Sequence, residues 1–595
     1  MQELKPRREM DPAFQWDLTQ LFETPEAWRD AYAQTEKMID ALPRLAGTLG
    51  SSAATLEAAL SEIDRAAELC EKVGTYAFLC KAGDNGDPDA QDMDDRATRL
   101  YVKLGSAVAF VDPEILSIDE TKLLGFLADP TLAPHRHYVE DVNRQREHTL
   151  DAKGEAMLAS LGEFSAVPGT AFDMLTNVDM EYPTVKDEEG KDVRLSNGNF
   201  SVFRESRDRR VREDAFKGYF GTYHKFINTT AALYAGAVKA ASFYSAARRY
   251  DGNCEAALFA NNVPVSVYDA LIEAVHDGLP AMQEYLNLRR EVLGLDSIDV
   301  FDLYVPMVDD VDFKMPYEKA KALVREAVAP LGEDYQKVLD RAFNERWIDV
   351  YENKGKESGA FSTGVFGVHP YVMLNYTDTL DDAFTLAHEL GHAMHSYYSD
   401  TTQDFANHDY RIMVAEVAST VNEVLLTKYL LRTETEPKRR AYILNHFLEG
   451  FRTTVFRQTL FAEFERRAHA LYREGTPLTA KTLSGIYLDL ESRYYSAAKM
   501  QELIADEWSY IPHFYRPFYV YQYATGFSSA VAIADAITKT NDPSDYRRFL
   551  TLGGSDYPIE ELKVAGVDLT SPETVRNAMK VFAETIKEFK AALGK

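Results

Sequence analysis

Cysteine is nearly absent: Cys70, Cys80 and Cys254 are the only three in 595 residues, and no two of them have the spacing of a Cys-x-x-Cys pair. That excludes a disulfide framework and a thiolate-ligated metal, and it fits reduced thiols in the cytoplasm. Positive charge is scarce as well, with 65 Lys and Arg against 94 Asp and Glu and a formal net charge of -29. A nucleic-acid partner requires clustered Lys and Arg facing phosphates, so that class is excluded. Long apolar runs are missing. The stretch 231–244 is among the most apolar, yet it contains Lys239 and falls short of the roughly 20 residues that a membrane span needs. The opening segment Met1 to Asp11 has Lys5, Arg7 and Arg8 but no apolar run after it, so neither a secretory signal nor a membrane partner is expected.

Burial is well supplied, since 46% of the residues are hydrophobic, and a chain of this length is expected to form two or more lobes. Leu56, Leu60, Ile63, Ala67 and Cys70 recur at three and four, the spacing of a helix face. Gly83 to Pro88 ends that helix, and Asp87 or Asp89 caps the next. Around 180–195 the pattern alternates, with Gly190 in a polar turn, and reads as a β-hairpin. It marks a boundary between an N-terminal helical lobe, 1–200, and a second domain, 201–595. The Arg-rich stretch 207–217 is interleaved with Asp208, Glu213 and Asp214, the pattern of local ion pairs on a solvated helix. Residues 298–304 alternate as a strand, and 317–339 are helical. The fold class read from these signals is mainly α with little sheet.

His388-Glu389-Leu390-Gly391-His392 carries the chemistry. Chance would place fewer than about 0.05 matches to His-acid-x-x-His in a chain of this composition. Residues i and i+4 share a helix face, so His388 and His392 can hold one metal ion, while Glu389 lies about a hundred degrees round and is placed to hold a water on that ion. This is the arrangement of a zinc hydrolase. Such a site needs a third protein ligand. A third histidine in the spacing His-Glu-x-x-His-x-x-Gly-x-x-His is excluded, because His395 stands where that pattern has Gly and Tyr398 where it has His. His395 reads as a polar packing or rim residue. Glu416 interrupts the otherwise small and apolar run 414–421, far enough beyond His392 for an antiparallel helix to return, and a carboxylate there requires a partner. Glu423 follows on the same face and can orient a ligand histidine through its free ring nitrogen. A surface ion pair is the alternative for Glu423. The ligand set expected is His388, His392 and Glu416 around one Zn(2+) per chain, with Glu389 as general base.

Two further stretches bear on substrate. The Gly- and β-rich segment 358–376 precedes the metal helix. It reads either as an edge strand that pairs with an extended peptide, with Gly359, Ala360, Phe361 and His369 as its contacts, or as an ordinary small sheet packed under the site. The aromatic stretch 510–526 holds one His and several Tyr, neutral donors suited to a tetrahedral oxyanion, among residues many of which are core. Arg516 keeps open a fixed cationic group for a substrate carboxylate, as a metallocarboxypeptidase or dipeptidyl carboxypeptidase would require.

The metal motif with Ala-Glu-Val-Ala-Ser at 415–419, the segments 359–361 and 367–371, and the run from His513 through Phe518 to Gly526 together resemble the thimet oligopeptidase family of zinc metallopeptidases, in its oligoendopeptidase F branch. The resemblance implies a two-lobed helical ellipsoid with a deep substrate channel, zinc on its floor between two antiparallel helices, and hydrolysis of internal bonds in short peptides. It implies zinc ligation by His388, His392 and Glu416, Glu389 as the base, and His513 with one or more of Tyr515, Tyr521 and Tyr523 as transition-state donors. The 513–526 run differs from the Gly-Gly-Tyr version of other branches, which leaves open which tyrosine reaches the oxyanion. A non-catalytic peptide-binding protein is the reading from another class; the intact Glu389 argues against it. Oligomeric state is not legible.

Overall fold

The computed structural model describes residues 4–308 and 313–595. Among the described residues helix dominates, and five short strands form two small sheets. The helices used below are α1 (Ala53–Gly83), α2 (Pro88–Val108), α3 (Gly162–Met174), α4 (Tyr317–Ala327), α5 (Glu333–Asn344), α6 (Leu380–Asp400), α7 (Ile412–Thr433), α8 (Arg457–Arg473) and α9 (Tyr521–Thr540). The strands are β1 (Thr184–Lys186), β2 (Asp192–Arg194), β3 (Ile348–Asp349), β4 (Phe361–Thr363) and β5 (Tyr371–Met373).

The chain divides into two compact units, each assembled from three segments. The first comprises 1–147, 313–429 and 533–567; the second comprises 148–312, 430–532 and 568–595. In the first unit, Val73, Ala77 and Leu79 of α1, Ala97 and Leu100 of α2, and Tyr371 and Met373 of β5 are buried in one apolar cluster with Trp16 and Trp28. That cluster fixes the three-stranded sheet against the helices. α1 ends at Gly83, and Asp87 caps α2 through the Asp89 N–H.

The hairpin read near 180–195 is present in the second unit: β1 and β2 pair antiparallel, and Gly190 takes φ +80 in the turn. The strand expected at 298–304 is not. Val300–Asp302 forms a 3₁₀ turn closed by a reciprocal cap between Asp299 and Asp302. Asp302 is fully buried and accepts from Arg209 and Arg212 at 2.8 and 2.7 Å. Two carboxylates that must reach partners curl the backbone, and this outweighs the alternation of apolar residues. The helix read over 317–339 is two helices, α4 and α5, broken at Pro330 and at Gly332 with φ +96. The Arg-rich stretch forms ion pairs, including Arg210 with Asp214 and Lys217 with Glu213.

Candidate metal centre

α6 is capped by Thr379, whose hydroxyl accepts from the Asp382 N–H while the Asp382 carboxylate accepts from the Thr379 N–H. This capping box starts the helix two turns before its histidines, and Asp381 and Asp382 oppose the positive end of its dipole. α7 runs antiparallel to α6. Asn422 donates to the Ala387 carbonyl at 3.1 Å and accepts from the Tyr335 hydroxyl of α5 at 3.1 Å, a buried lock joining three helices. At the crossing, a Cβ on Gly391 would sit 2.5 Å from the Ser419 Cα and 2.7 Å from the Ala418 carbonyl oxygen. Only glycine permits that approach, and the approach brings Glu416 over the two histidines.

The three candidate ligands converge. Nε2 of His388 lies 3.2 Å from Nε2 of His392 and 3.6 Å from Oε2 of Glu416, and the His392 to Glu416 separation is 3.9 Å. Donors held at about 2.0–2.1 Å around a tetrahedral zinc ion would lie roughly 3.3 Å apart. Glu423 accepts from Nδ1 of His388 at 2.5 Å, which places a ring proton on Nδ1 and leaves Nε2 facing the other two donors. Two imidazole nitrogens and a carboxylate oxygen meeting at one point have at most one proton to share, whereas a divalent cation satisfies all three. Among the described residues, this is the one group of His, Cys, Asp and Glu whose ligand atoms gather in this way.

The surrounding electrostatics follow from burial. Glu389 is 7% exposed, and desolvation pushes its carboxyl up to about 7, with the charges of Glu416 and Glu423 adding and that of His388 opposing. At His388 burial disfavours the charged ring, but the hydrogen bond and charge of Glu423 outweigh it and raise the pKa to about 9. His392 has no such partner, and burial followed by the His388 charge lowers it to about 3. His395 is buried and stacked on Tyr410 at 3.7 Å, and it takes no part in the ligand group.

A cleft of about 870 Å³ in the first unit opens over this centre. One wall is β4, which the strand order β3-β5-β4 leaves at the sheet edge. Ala360 and Phe361 therefore line the cleft, while Gly359 is exposed just before them with φ +84. His369 does not reach it. It is 4% exposed, lies flat on Trp347 at 4.7 Å with an interplanar angle of 1°, and bonds Nδ1 to the Pro370 carbonyl. The turn before β5 directs that ring into the apolar interior, so the expectation of a substrate contact from His369 is corrected to packing. Farther along, Glu71 and the pair His408–Asp400, bonded at 2.9 Å, line the cleft.

The remaining residues singled out by the sequence belong to the second unit. His513 is exposed, and burial of part of its ring lowers its pKa, which favours the neutral ring. Tyr515 stacks on Phe172 of α3 at 4.6 Å. Tyr521 is 2% exposed and packs on Tyr268 at 5.3 Å, an interior position that removes it from the candidate donors. Tyr523 lies 6.2 Å from His513 between ring centroids. Sequence reasoning missed Tyr519, whose ring lies 6.5 Å from His513 and 5.6 Å from Tyr523. No single helix or strand spans 513–519, so no periodicity could single it out.

The chain matches the profile described as Peptidase family M3 over residues 202–581 and that described as Oligopeptidase F over 114–182. Oligopeptidase PepF of Bacillus subtilis (strain 168) is 42% identical, covering 100% of this chain and 89% of its own length. Group B oligopeptidase PepB of Streptococcus agalactiae is 39% identical, covering 99% of this chain and 98% of its own. Among solved structures, oligoendopeptidase-F from Enterococcus faecium superposes with a TM-score of 0.72 at 35% identity, covering 96% of this chain and 99% of that one.

Proposed function

Because the chain belongs to peptidase family M3, we propose that it is a zinc-dependent endopeptidase of the thimet oligopeptidase type, hydrolysing internal bonds of short peptides. The observation that carries this reading is the convergence of His388, His392 and Glu416 beside a buried Glu389 in an open cleft. A zinc ion held there supplies Lewis acidity, polarising a peptide carbonyl and acidifying water. Glu389 acts as general base: its carboxylate takes a proton from the attacking water and returns it to the departing amine nitrogen. Glu423 keeps His388 in the tautomer that presents Nε2. β4, an edge strand with unpaired backbone groups, binds an extended peptide by strand addition along Ala360 and Phe361, with Gly359 leading the chain in. His513, with Tyr515 and Tyr523, donates hydrogen bonds to the oxyanion of the tetrahedral intermediate. Residues 201–595 are proposed as the catalytic domain and 1–200 as an N-terminal lobe, supported by the family match at 202–581. The names of the relatives, oligopeptidase and oligoendopeptidase, support the size class and the internal cut.

The test is Glu389→Gln assayed on a quenched fluorogenic peptide blocked at both ends. The parent is expected to cleave the blocked peptide. The variant is expected to keep its zinc by elemental analysis and to lose kcat by roughly 10³-fold or more. Near-parent activity in the variant overturns the mechanism, and failure of the parent on peptides amidated at the carboxyl end overturns the endopeptidase assignment.

A further inference from the structure

We propose that Glu465 is a positioning residue: it holds the segment 513–523 in its donor geometry by fixing the left-handed backbone at Phe518. The inference rests on the reading that His513, Tyr515 and Tyr523 act as donors, and it goes beyond that reading by naming the group that sets their arrangement. All the residues concerned lie in the second unit.

Three rings carry the argument. His513 and Tyr519 stand with centroids 6.5 Å apart and planes within 7°, and Tyr523 meets both edge-on at 6.2 and 5.6 Å. His513 precedes Phe518 in the chain, and Tyr519 and Tyr523 follow it. The backbone direction at Phe518 therefore decides whether these rings gather. Phe518 has φ +57, a region that residues with a Cβ rarely adopt, and it follows Pro517, which contributes no N–H. The backbone bonds on either side are local, Arg516 to His513 and Gln522 to Tyr519. The Phe518 N–H instead crosses to α8, where Oε1 of Glu465 accepts it at 2.8 Å. Beneath the turn, the Phe518 ring is held between His469 at 4.7 Å and Tyr268 at 5.6 Å.

Glu465 is an unexpected residue to find there. Its exposure is 0%, no ion pair to it is present among the described residues, and Oε2 has no hydrogen-bond partner. A buried carboxyl group without a cation is costly. A neutral side chain would fill the same space, but only an acceptor at this point can capture the Phe518 N–H. Burial pushes the Glu465 carboxyl up to about 8, in keeping with a group retained for its acceptor oxygen and not for its charge.

The experiment compares Glu465→Leu, Glu465→Gln, His513→Ala and the double variant Glu465→Leu/His513→Ala, in the full zinc-loaded chain, for kcat, KM and zinc content on the blocked fluorogenic peptide. Misplacing transition-state donors by about an ångström costs on the order of 10²-fold. Glu465→Leu is expected to lose kcat on that order, with KM within about threefold and zinc unchanged. Glu465→Gln keeps an acceptor oxygen and is expected to recover kcat to within about threefold of the parent. The double variant is expected to be little worse than His513→Ala alone, because both remove one arrangement. If Glu465→Leu does not accumulate as folded protein, Glu465→Asp, whose carboxylate is one methylene short of the Phe518 N–H, carries the same expectation. Parent-like kcat in a folded Glu465 variant alongside an impaired His513→Ala overturns the positioning role alone, as do losses that multiply in the double variant. Parent-like kcat in His513→Ala overturns the donor reading and the positioning role with it.

Discussion

Glu423 shows how one side chain outside the candidate ligand group constrains it. It faces His388 at 2.5 Å, and it lies on α7 seven residues beyond Glu416, so both carboxylates face the same way. Glu423→Ala is expected to weaken zinc binding by roughly 10–100-fold while leaving the helices in place, as measured by competition with a chelator. Glu465 supports a second prediction, on stability. Its folded pKa, about 8, stands above the ordinary 4.5. Below pH 4.5 both the folded and the unfolded forms are protonated; between 4.5 and 8 only the unfolded chain ionises, so stability falls as pH rises through that window. Glu465→Gln removes this term, and its denaturation midpoint is expected to exceed the parent's increasingly from pH 5 to pH 8. No such difference would show that the carboxyl ionises freely in the native chain. At this scale the pairing of the two candidate ligand histidines was legible because i and i+4 on a helix are neighbours whatever the fold. The role of His369 was not, since its direction depends on the turn before β5 and on the Trp347 ring beneath it.

The helix pair α6–α7 is the element on which the centre depends. Its contact requires Gly391, because a Cβ there would meet the Ser419 Cα at 2.5 Å, and backbone cannot yield as a flexible side chain does. Gly391→Ala is expected to destabilise the protein by about 1–3 kcal/mol and to lower zinc occupancy, as read by thermal denaturation and elemental analysis. Parent-like values for both would mean that the helices part without disturbing the ligands. The edge strand β4 makes a different prediction. If peptides add to it through backbone bonds, then N-methylation of a single substrate amide at the paired position raises KM by roughly tenfold or less, with a smaller effect at neighbouring amides. A scan showing equal effects at every position would count against strand addition. The cap expected at Asp87 or Asp89 was legible because a cap is a local hydrogen bond, and the structure places it at Asp87. The 3₁₀ turn at Val300–Asp302 was not, because Asp302 reaches Arg209 and Arg212 some ninety positions away in the chain.

At the scale of the whole molecule, the three candidate ligands belong to the first compact unit and the candidate donors to the second. Zinc removal is therefore expected to abolish hydrolysis and to lower amide-exchange protection in α6 and α7, while protection around Glu465 and Phe518 in α8 and the start of α9 stays near that of the loaded protein. Uniform loss of protection across both sets of helices would show that the units open together. Zinc added back is expected to restore both activity and protection. Each unit gathers three separated segments, so neither corresponds to one stretch of sequence. A division near residue 200 follows composition and family matching, whereas compactness follows packing, and the two need not coincide. The sequence by itself determined the predominance of helix, the hairpin at 184–194 and the pairing of His388 with His392, because each is set by local periodicity or by turn residues. Only the tertiary structure decided that His369 turns inward, that Tyr521 is core and Tyr519 joins His513, and that Glu465 reaches the Phe518 N–H. Those outcomes depend on contacts between residues far apart in the chain, and no local spacing encodes them.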